Sequence, residues 1–384
     1  MLVSRHGLAV AVGLLAIAIL APASTRSGFN SVVLPGTDAR VSDRGLPDAS
    51  VFDARAFDRG LPDASVFDAR ASDRGLPDAR VSDAVDVGEP DVADAQVPDA
   101  APSNPLLGTF TISPPTLLAN VNSAAHEISP TLSADGLTLY FGRRTGHGAA
   151  MTVDLFVATR PDFTSSFGGV VPLTGLNTPT YRENKMSVSG DGLVAYVTAN
   201  WPGGKGDFDL WEIRRKSLSA PFERTLAVNL ASVNGKDADW DPFITIRGLC
   251  LYYGVDTYAG GPGDNELMVA CRPGLSSAFQ AGKMLGTINT AEGEGNPSLT
   301  EDGLVLVFNR IILSTHGSDI YYATRATKNA PFTVRGALSV VNTKEVETEP
   351  FIRRDGREIF FSAIRSGGKG GLDLYHAMVA VSSP

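Results

Sequence analysis

The chain has 384 residues, 43% hydrophobic and 20% charged, with a formal net charge of −9 and a pI near 5.1. That balance excludes a nucleic-acid-binding surface, which needs clustered Lys and Arg, and the length allows one large domain or two modest ones. A mean hydropathy of +0.01 fits a soluble protein.

The N-terminus carries Arg5 and then the apolar run "GLAVAVGLLAIAILAPA" at 7–23. This predicts a signal peptide over 1–23, cleaved after Ala23. A membrane anchor is the rival reading, but a spanning helix needs about 20 apolar residues and this run falls short. The expectation is a periplasmic or secreted protein with no transmembrane span after cleavage. Cys250 and Cys271 would then meet an oxidising compartment; two buried thiols are the alternative.

Residues 24–104 form a linker in which "DRGLPDASVFDARAF" (43–57) recurs almost unchanged, and Asp returns every five residues from 38 to 83. The linker holds 15 acidic and 8 basic residues, so most of the negative charge lies here. A pentapeptide solenoid would need a small apolar residue in a slot that alternates here between Ala and Arg, and a buried unpaired Arg is costly. A disordered spacer is preferred: it is too polar and too rich in Pro and Gly to offset its ordering entropy. Paired Asp residues are a weak calcium motif; a soluble tether is the simpler reading, and no cofactor is expected.

From residue 105 onward one phrase recurs. The copies are "EISPTLSADGLTLYFGRR" (127–144), "ENKMSVSGDGLVAYVTAN" (183–200), "DWDPFITIRGLCLYYGVD" (239–256), "EGNPSLTEDGLVLVFNRI" (294–311) and "ETEPFIRRDGREIFFSAI" (347–364). They start 56, 56, 55 and 53 residues apart. Asn122, Asn177, Asn234, Asn289 and Asn342 stand five or six residues ahead of them. Each copy reads as strand, Asp-Gly or Arg-Gly turn, and alternating strand, with Gly supplying the positive φ of a tight hairpin. A third strand follows ("DLFVATR", "DLWEIRR", "ELMVACR", "DIYYATR", "DLYHAMV"), then a weaker fourth. The third-strand aromatics Phe156, Trp211, Tyr321 and Tyr375 read as blade-to-blade core.

Four antiparallel strands at this period make a propeller blade. The last copy lacks its fourth strand, and "GTFTISPPTLLANVN" (108–122) resembles a fourth strand with no blade before it. The expectation is an all-β, five-bladed β-propeller over 105–384, closed by the N-terminal strand, which hides the sheet edges.

The "E..P..S.DG..LYF" phrase followed by "DLY.ATR" resembles the WD40-like, TolB-type propeller repeat called PD40. Met186 departs from it in the second copy and Arg247 in the third. The resemblance implies an extracytoplasmic binding or scaffold module, some relatives being attached to envelope complexes; it implies no ligand.

Two sets of residues are candidates for binding. Glu127, Glu183, Asp239, Glu294 and Glu347 begin the first strands, which in a TolB-type blade line the channel, so they would ring one rim. A repeat-specific role, accepting backbone N–H bonds near the turn, weighs more than a cation or sugar site. Arg143, Trp201, Tyr258, Arg310 and Arg365 lie in the loops after the second strands, where the copies differ; ordinary hairpin loops are an equal reading. The glycines there open no helix, so they are not phosphate loops. No Gly-x-Ser-x-Gly elbow occurs, and His126, His147, His316 and His376 have no metal-ligand spacing. Matching the second and third strands of the third unit sets Cys250 against Cys271, predicting a disulfide.

The functional expectation is a non-enzymatic scaffold or binding module of the cell envelope, with an envelope protein or glycan as partner. The alternative is a carbohydrate-active enzyme using carboxylates of the rim, although the repeat distinguishes no two of them.

Overall fold

The computed structural model describes residues 104–256, 261–263, 265–312 and 317–382. The segment expected to be a signal peptide, and the linker up to residue 103, lie outside them. Two short strands come first, β1 (Phe110–Ile112) and β2 (Thr116–Leu117). Blade 1 then runs from the axis outward through β3 (His126–Leu132), β4 (Thr138–Thr145), β5 (Thr152–Thr159) and β6 (Gly168–Pro172). Blade 2 is β7 (Glu183–Val188), β8 (Val194–Ala199), β9 (Asp209–Arg214) and β10 (Val228–Asn229). Blade 3 is β11 (Asp239–Ile244), β12 (Cys250–Asp256), β13 (Asn265–Cys271) and β14 (Lys283–Met284). Blade 4 is β15 (Gly293–Leu299), β16 (Val305–Ile312), β17 (Gly317–Thr324) and β18 (Thr333–Ala337). Blade 5 has β19 (Glu347–Ile352), β20 (Glu358–Ala363) and β21 (Asp373–Val381). Its outer edge is supplied by β1 and β2, with Phe110 opposite Val381 and Thr116 opposite His376. The protein is a five-bladed propeller closed by its N-terminal strands, and each inner strand touches the next, β19 returning to β3.

The hairpin turns follow from their residues. Gly136, Gly192, Gly248, Gly303 and Gly356 have φ between 65° and 73°, a region that disfavours any Cβ. The preceding Asp closes the turn: Asp135 accepts the Leu137 N–H, and Asp191, Asp302 and Asp355 do the same two residues on. Arg247 has no such oxygen; that turn keeps only the hydroxyl bond, Thr245 accepting the Cys250 N–H as Ser133, Ser189 and Thr300 accept those of Thr138, Val194 and Val305. Cys250 faces Cys271 across β12 and β13, and their sulfurs are bonded. The third-strand aromatics pack on the second strand of their own sheet, as Phe156 does on Phe141 and Tyr375 on Phe361.

Blades are joined by side chains that repeat with them. The amide of Asn177 accepts the Leu155 N–H at 2.8 Å and donates to the Leu155 carbonyl at 2.8 Å. Asn234 does this to Leu210, Asn289 to Leu267 and Asn342 to Ile320. Asn122 does it to Leu374, 252 residues away, and so staples the first blade to the last. A second repeat lies at the far end of the third strand in blades 1 to 4. Arg160, Arg215, Arg272 and Arg325 donate through Nε to the carbonyls of Gly136, Gly192, Gly248 and Gly303, and each guanidinium lies over a Phe at 4.4–4.5 Å. Arg160 also crosses the closing seam to Glu358 of blade 5 with bonds of 3.2 and 2.9 Å, where Arg353 and His376 join it. Burial opposes ionisation of Glu358, but bonds from His376 and Arg160 hold its carboxyl below the usual carboxylate range.

Removing the Asn122 amide leaves the buried N–H of Leu374 unpaired, at about 1–3 kcal/mol, while its C=O keeps the bond from the Leu118 N–H. Asn122→Ala is expected to lower the Tm by roughly 2–6 °C. Calorimetry checks this, and an unchanged Tm contradicts the staple.

Candidate functional site

The rim acids are almost wholly buried, their exposure lying between 0 and 1%. Each reaches back to the turn behind its staple Asn. Glu127 accepts the Ser123 N–H at 3.0 Å, Glu183 the Thr178 N–H at 3.2 Å, Asp239 the Gly235 N–H at 2.8 Å, Glu294 the Thr290 N–H at 2.8 Å and Glu347 the Thr343 N–H at 2.7 Å. In the four Glu blades the Ser or Thr hydroxyl adds a second bond. Arg143 and Arg310 lie not in loops but on β4 and β16, directly opposite Glu127 and Glu294, and with Arg365 and Trp201 they complete this clasp. Arg143 meets Glu127 at 2.7 Å, Arg310 meets Glu294 at 2.7 Å, Arg365 meets Glu347 at 3.0 Å, and the Trp201 indole N–H meets Glu183 at 2.6 Å. Arg143, Arg310 and Arg365 also donate to the carbonyls of Val121, Ile288 and Val341, and stack on aromatic rings. The lysines of the glycine loops are spent likewise, Lys205 on the Ala231 carbonyl and Lys369 on that of Ala119.

The structure thus forms one pair per blade, Glu127 with Arg143, Glu183 with Trp201, Glu294 with Arg310 and Glu347 with Arg365, while Asp239 meets none of the candidates. Tyr258 lies outside the described residues. Blade 3 breaks the pattern: Val255 stands opposite Asp239 where Arg143 stands opposite Glu127. Asp239 Oδ1 is buried without a hydrogen bond, and burial pushes the carboxyl up to about 7. Burial also pushes Glu183 up to about 7, against its bonds from Trp201 and Thr178.

A different column of residues faces the axis. Two positions after each rim acid stand Ser129, Lys185, Asp241, Asn296 and Glu349, with exposures of 1, 2, 6, 0 and 4%. Ser129, Asp241, Asn296 and Glu349 have φ of 55°, 57°, 54° and 54°, and each precedes a Pro. This left-handed residue is the inner-strand bulge, where the register of β3 on β4 shifts between Ile128 and Thr131. Lys185, followed by Met186, is outside that set.

The column is knit across the channel. Lys185 Nζ donates to Asn296 Oδ1 at 2.7 Å and stands 4.0 Å from Asp241 Oδ1. Asp241 accepts the Asn296 backbone N–H, and Asn296 Nδ2 donates to Asn309. Glu349 Oε2 accepts both the Ser129 N–H at 2.7 Å and the Ser362 hydroxyl at 2.6 Å. Burial raises the carboxyls of both Asp241 and Glu349, with Lys185 opposing the shift at each. Between blades 3 and 4 a small recess of ≈ 10 Å³ opens beside Asp241, lined also by Trp240, Gly254, Asn265 and Glu294. Sequence reasoning passed over this column. Its signal was variation: five different residues at one repeat position, two residues after a position that is always Glu or Asp.

No protein-family model and no curated protein matches the chain. Solved structures do. A glycoside hydrolase shares 10% identity at a TM-score of 0.48, over 73% of this chain and 94% of that one. The catalytic domain of a Coprinopsis cinerea GH62 α-L-arabinofuranosidase shares 9% at 0.46, over 72% and 98%. A family 117 glycoside hydrolase from the marine bacterium Zobellia galactanivorans shares 12% at 0.45, over 73% and 92%. Likeness at this level transfers no substrate and no residue.

The expectation of a non-enzymatic scaffold or binding module of the envelope is corrected. The three solved structures named above are glycoside hydrolases, not scaffold modules, and the rim residues meant to capture a partner are consumed by internal bonds.

Glu183 and Asp239 hold their protons to about 7 in the fold, against about 4 in the unfolded chain. The folded state then binds more protons between those values, so their contribution to stability is lost as pH rises through the folded value. The Tm is expected to fall between about pH 5 and pH 8, and Glu183→Gln to flatten that slope. A Tm profile identical in the variant contradicts the assignment.

Proposed function

We propose that the chain is an exported glycoside hydrolase whose acid and base are Glu349 and Asp241. The observation that supports this is a repeated backbone with unrepeated side chains. At one position on the axis, three of five blades carry ionisable groups, and the two carboxylates outnumber the one ammonium. Hydrolysis of a glycosidic bond needs two carboxyl groups in unlike environments, one protonated and one ionised.

Asp241 is the base. Its neighbour Lys185 favours the carboxylate against burial. Glu349 is the acid. No cation lies within salt-bridge distance among the described residues, its Oε2 takes the bonds from Ser129 and Ser362, and Oε1 is left to carry the proton. Lys185 bonded to Asn296 spans the channel from blade 2 to blade 4. The recess beside Asp241 is the size of one water and too small for a sugar ring. Export fits this reading, since the Cys250–Cys271 disulfide is a bond of oxidising compartments. The PD40 resemblance rests on the repeated phrases and concerns the scaffold, not the chemistry.

A panel of 4-nitrophenyl glycosides and polysaccharides tests the proposal. Glu349→Gln keeps an oxygen for Ser129 and Ser362 and is expected to fold normally while kcat falls about 10²–10⁴-fold. Wild-type turnover of nothing on the panel, or an undiminished rate in the variant, overturns it.

A further inference from the structure

The recess beside Asp241 is lined on its β12 side by a glycine, Gly254. Gly254 pairs with Trp240 across β11 and β12. A Cβ added to Gly254 would lie 3.9 Å from Trp240 Cβ, 4.0 Å from Asp241 Oδ2 and 4.0 Å from the Trp240 carbonyl oxygen. These are ordinary contact distances, and Gly254 is outside the positive-φ set, so nothing in its backbone or surroundings demands glycine. At the equivalent positions in blades 2, 4 and 5, Thr198, Asn309 and Ser362 fill the place and bond to the inner-strand network. Gly142 in blade 1 has no such space, since a Cβ there would meet the Asn184 carbonyl at 2.6 Å. Blade 3 alone among these positions leaves an open volume against two oxygen acceptors, one of them a carboxylate.

We infer that this recess is a binding site for one water molecule, and that this water is the nucleophile of the reaction proposed above, on whose acid–base assignment the second half of the inference rests. The space of ≈ 10 Å³ is one water in size. Asp241 Oδ2 and the Trp240 carbonyl are both acceptors, so a water between them donates one hydrogen to each. Its lone pairs then face away from both. In the reaction the water oxygen bonds to the anomeric carbon while Asp241 takes its proton. The glycosidic C–O bond breaks, and the leaving oxygen takes the proton of Glu349. One hemiacetal and one alcohol are released, Asp241 ends protonated and Glu349 ionised, and exchange with solvent restores both. Gly254 acts through the water, as a positioning residue.

The test is Gly254→Ala, compared with the wild-type protein by high-resolution crystallography, thermal melting and kinetics on the 4-nitrophenyl panel. The expected wild-type map holds one water within hydrogen-bonding distance of Asp241 Oδ2 and the Trp240 carbonyl. In Gly254→Ala that water is absent, the Tm is not lowered, KM is unchanged and kcat falls at least about 100-fold. A wild-type recess that is empty or holds a metal ion overturns the site. A Gly254→Ala enzyme with wild-type kcat overturns the role of the water while leaving the acid–base pair intact. A water in place in a wild-type protein that hydrolyses nothing retains the site and overturns both the role and the acid–base reading.

Discussion

The ring depends on one asparagine amide, used five times. In each blade it reads as a two-pronged strand surrogate, giving and taking one hydrogen bond with a buried backbone residue of the preceding blade's third strand. Packing between sheets is non-directional and tolerates sliding; an amide clamped on one peptide group does not. The staple therefore sets the register of blade on blade, much as a ladder sets strand on strand. Only Asn122 performs it across the whole length of the domain, so closure is one more copy of a repeated contact, assisted by the pairing of β1 and β2 with β21.

The rim clasp is tied to this staple. The turn that follows each Asn leaves backbone N–H groups pointing inward, and an acid at the start of the next strand accepts them. A buried carboxylate is expensive unless it is bonded or neutralised. Three blades neutralise it with an Arg, one bonds it to Trp201, and blade 3 supplies only the Gly235 N–H. The consequence is graded: Asp239 and Glu183, without a guanidinium, are the rim acids driven furthest toward the neutral form. The channel column differs in kind. Its groups sit on a bulge that the fold repeats, yet their chemistry changes from blade to blade, so no repeat-wide structural need dictates it.

Much of the fold was legible because a repeat is a local pattern copied in register. The Asp-Gly turns, the alternation of the second strands, the staple Asn and the orphan strand at the N-terminus all sit within a few residues of one another. Cys250 and Cys271 could be paired because one hairpin fixes their partnership. The partners of the rim acids were harder, since Arg143 and Arg310 lie 16 residues from their carboxylates and could equally have faced solvent. Lys205 and Lys369 looked like loop charges for the same reason, and only the fold brings them to the Ala231 and Ala119 carbonyls. The outer strands of blades 2 and 3, reduced to two residues each, carried too little pattern to delimit. The axial column went unread because attention to what repeats hides what varies: Lys185, Asp241 and Glu349 occupy one slot of three copies and share no residue type.

Residue-resolved amide hydrogen exchange tests the staple most directly. The amides of Leu155, Leu210, Leu267, Ile320 and Leu374 each end on an Asn side chain, and all five should exchange together, only through global unfolding. If Leu374 exchanges early, with the amides of β1 and β2, then the seam opens on its own and a ring held by five equal contacts is the wrong description.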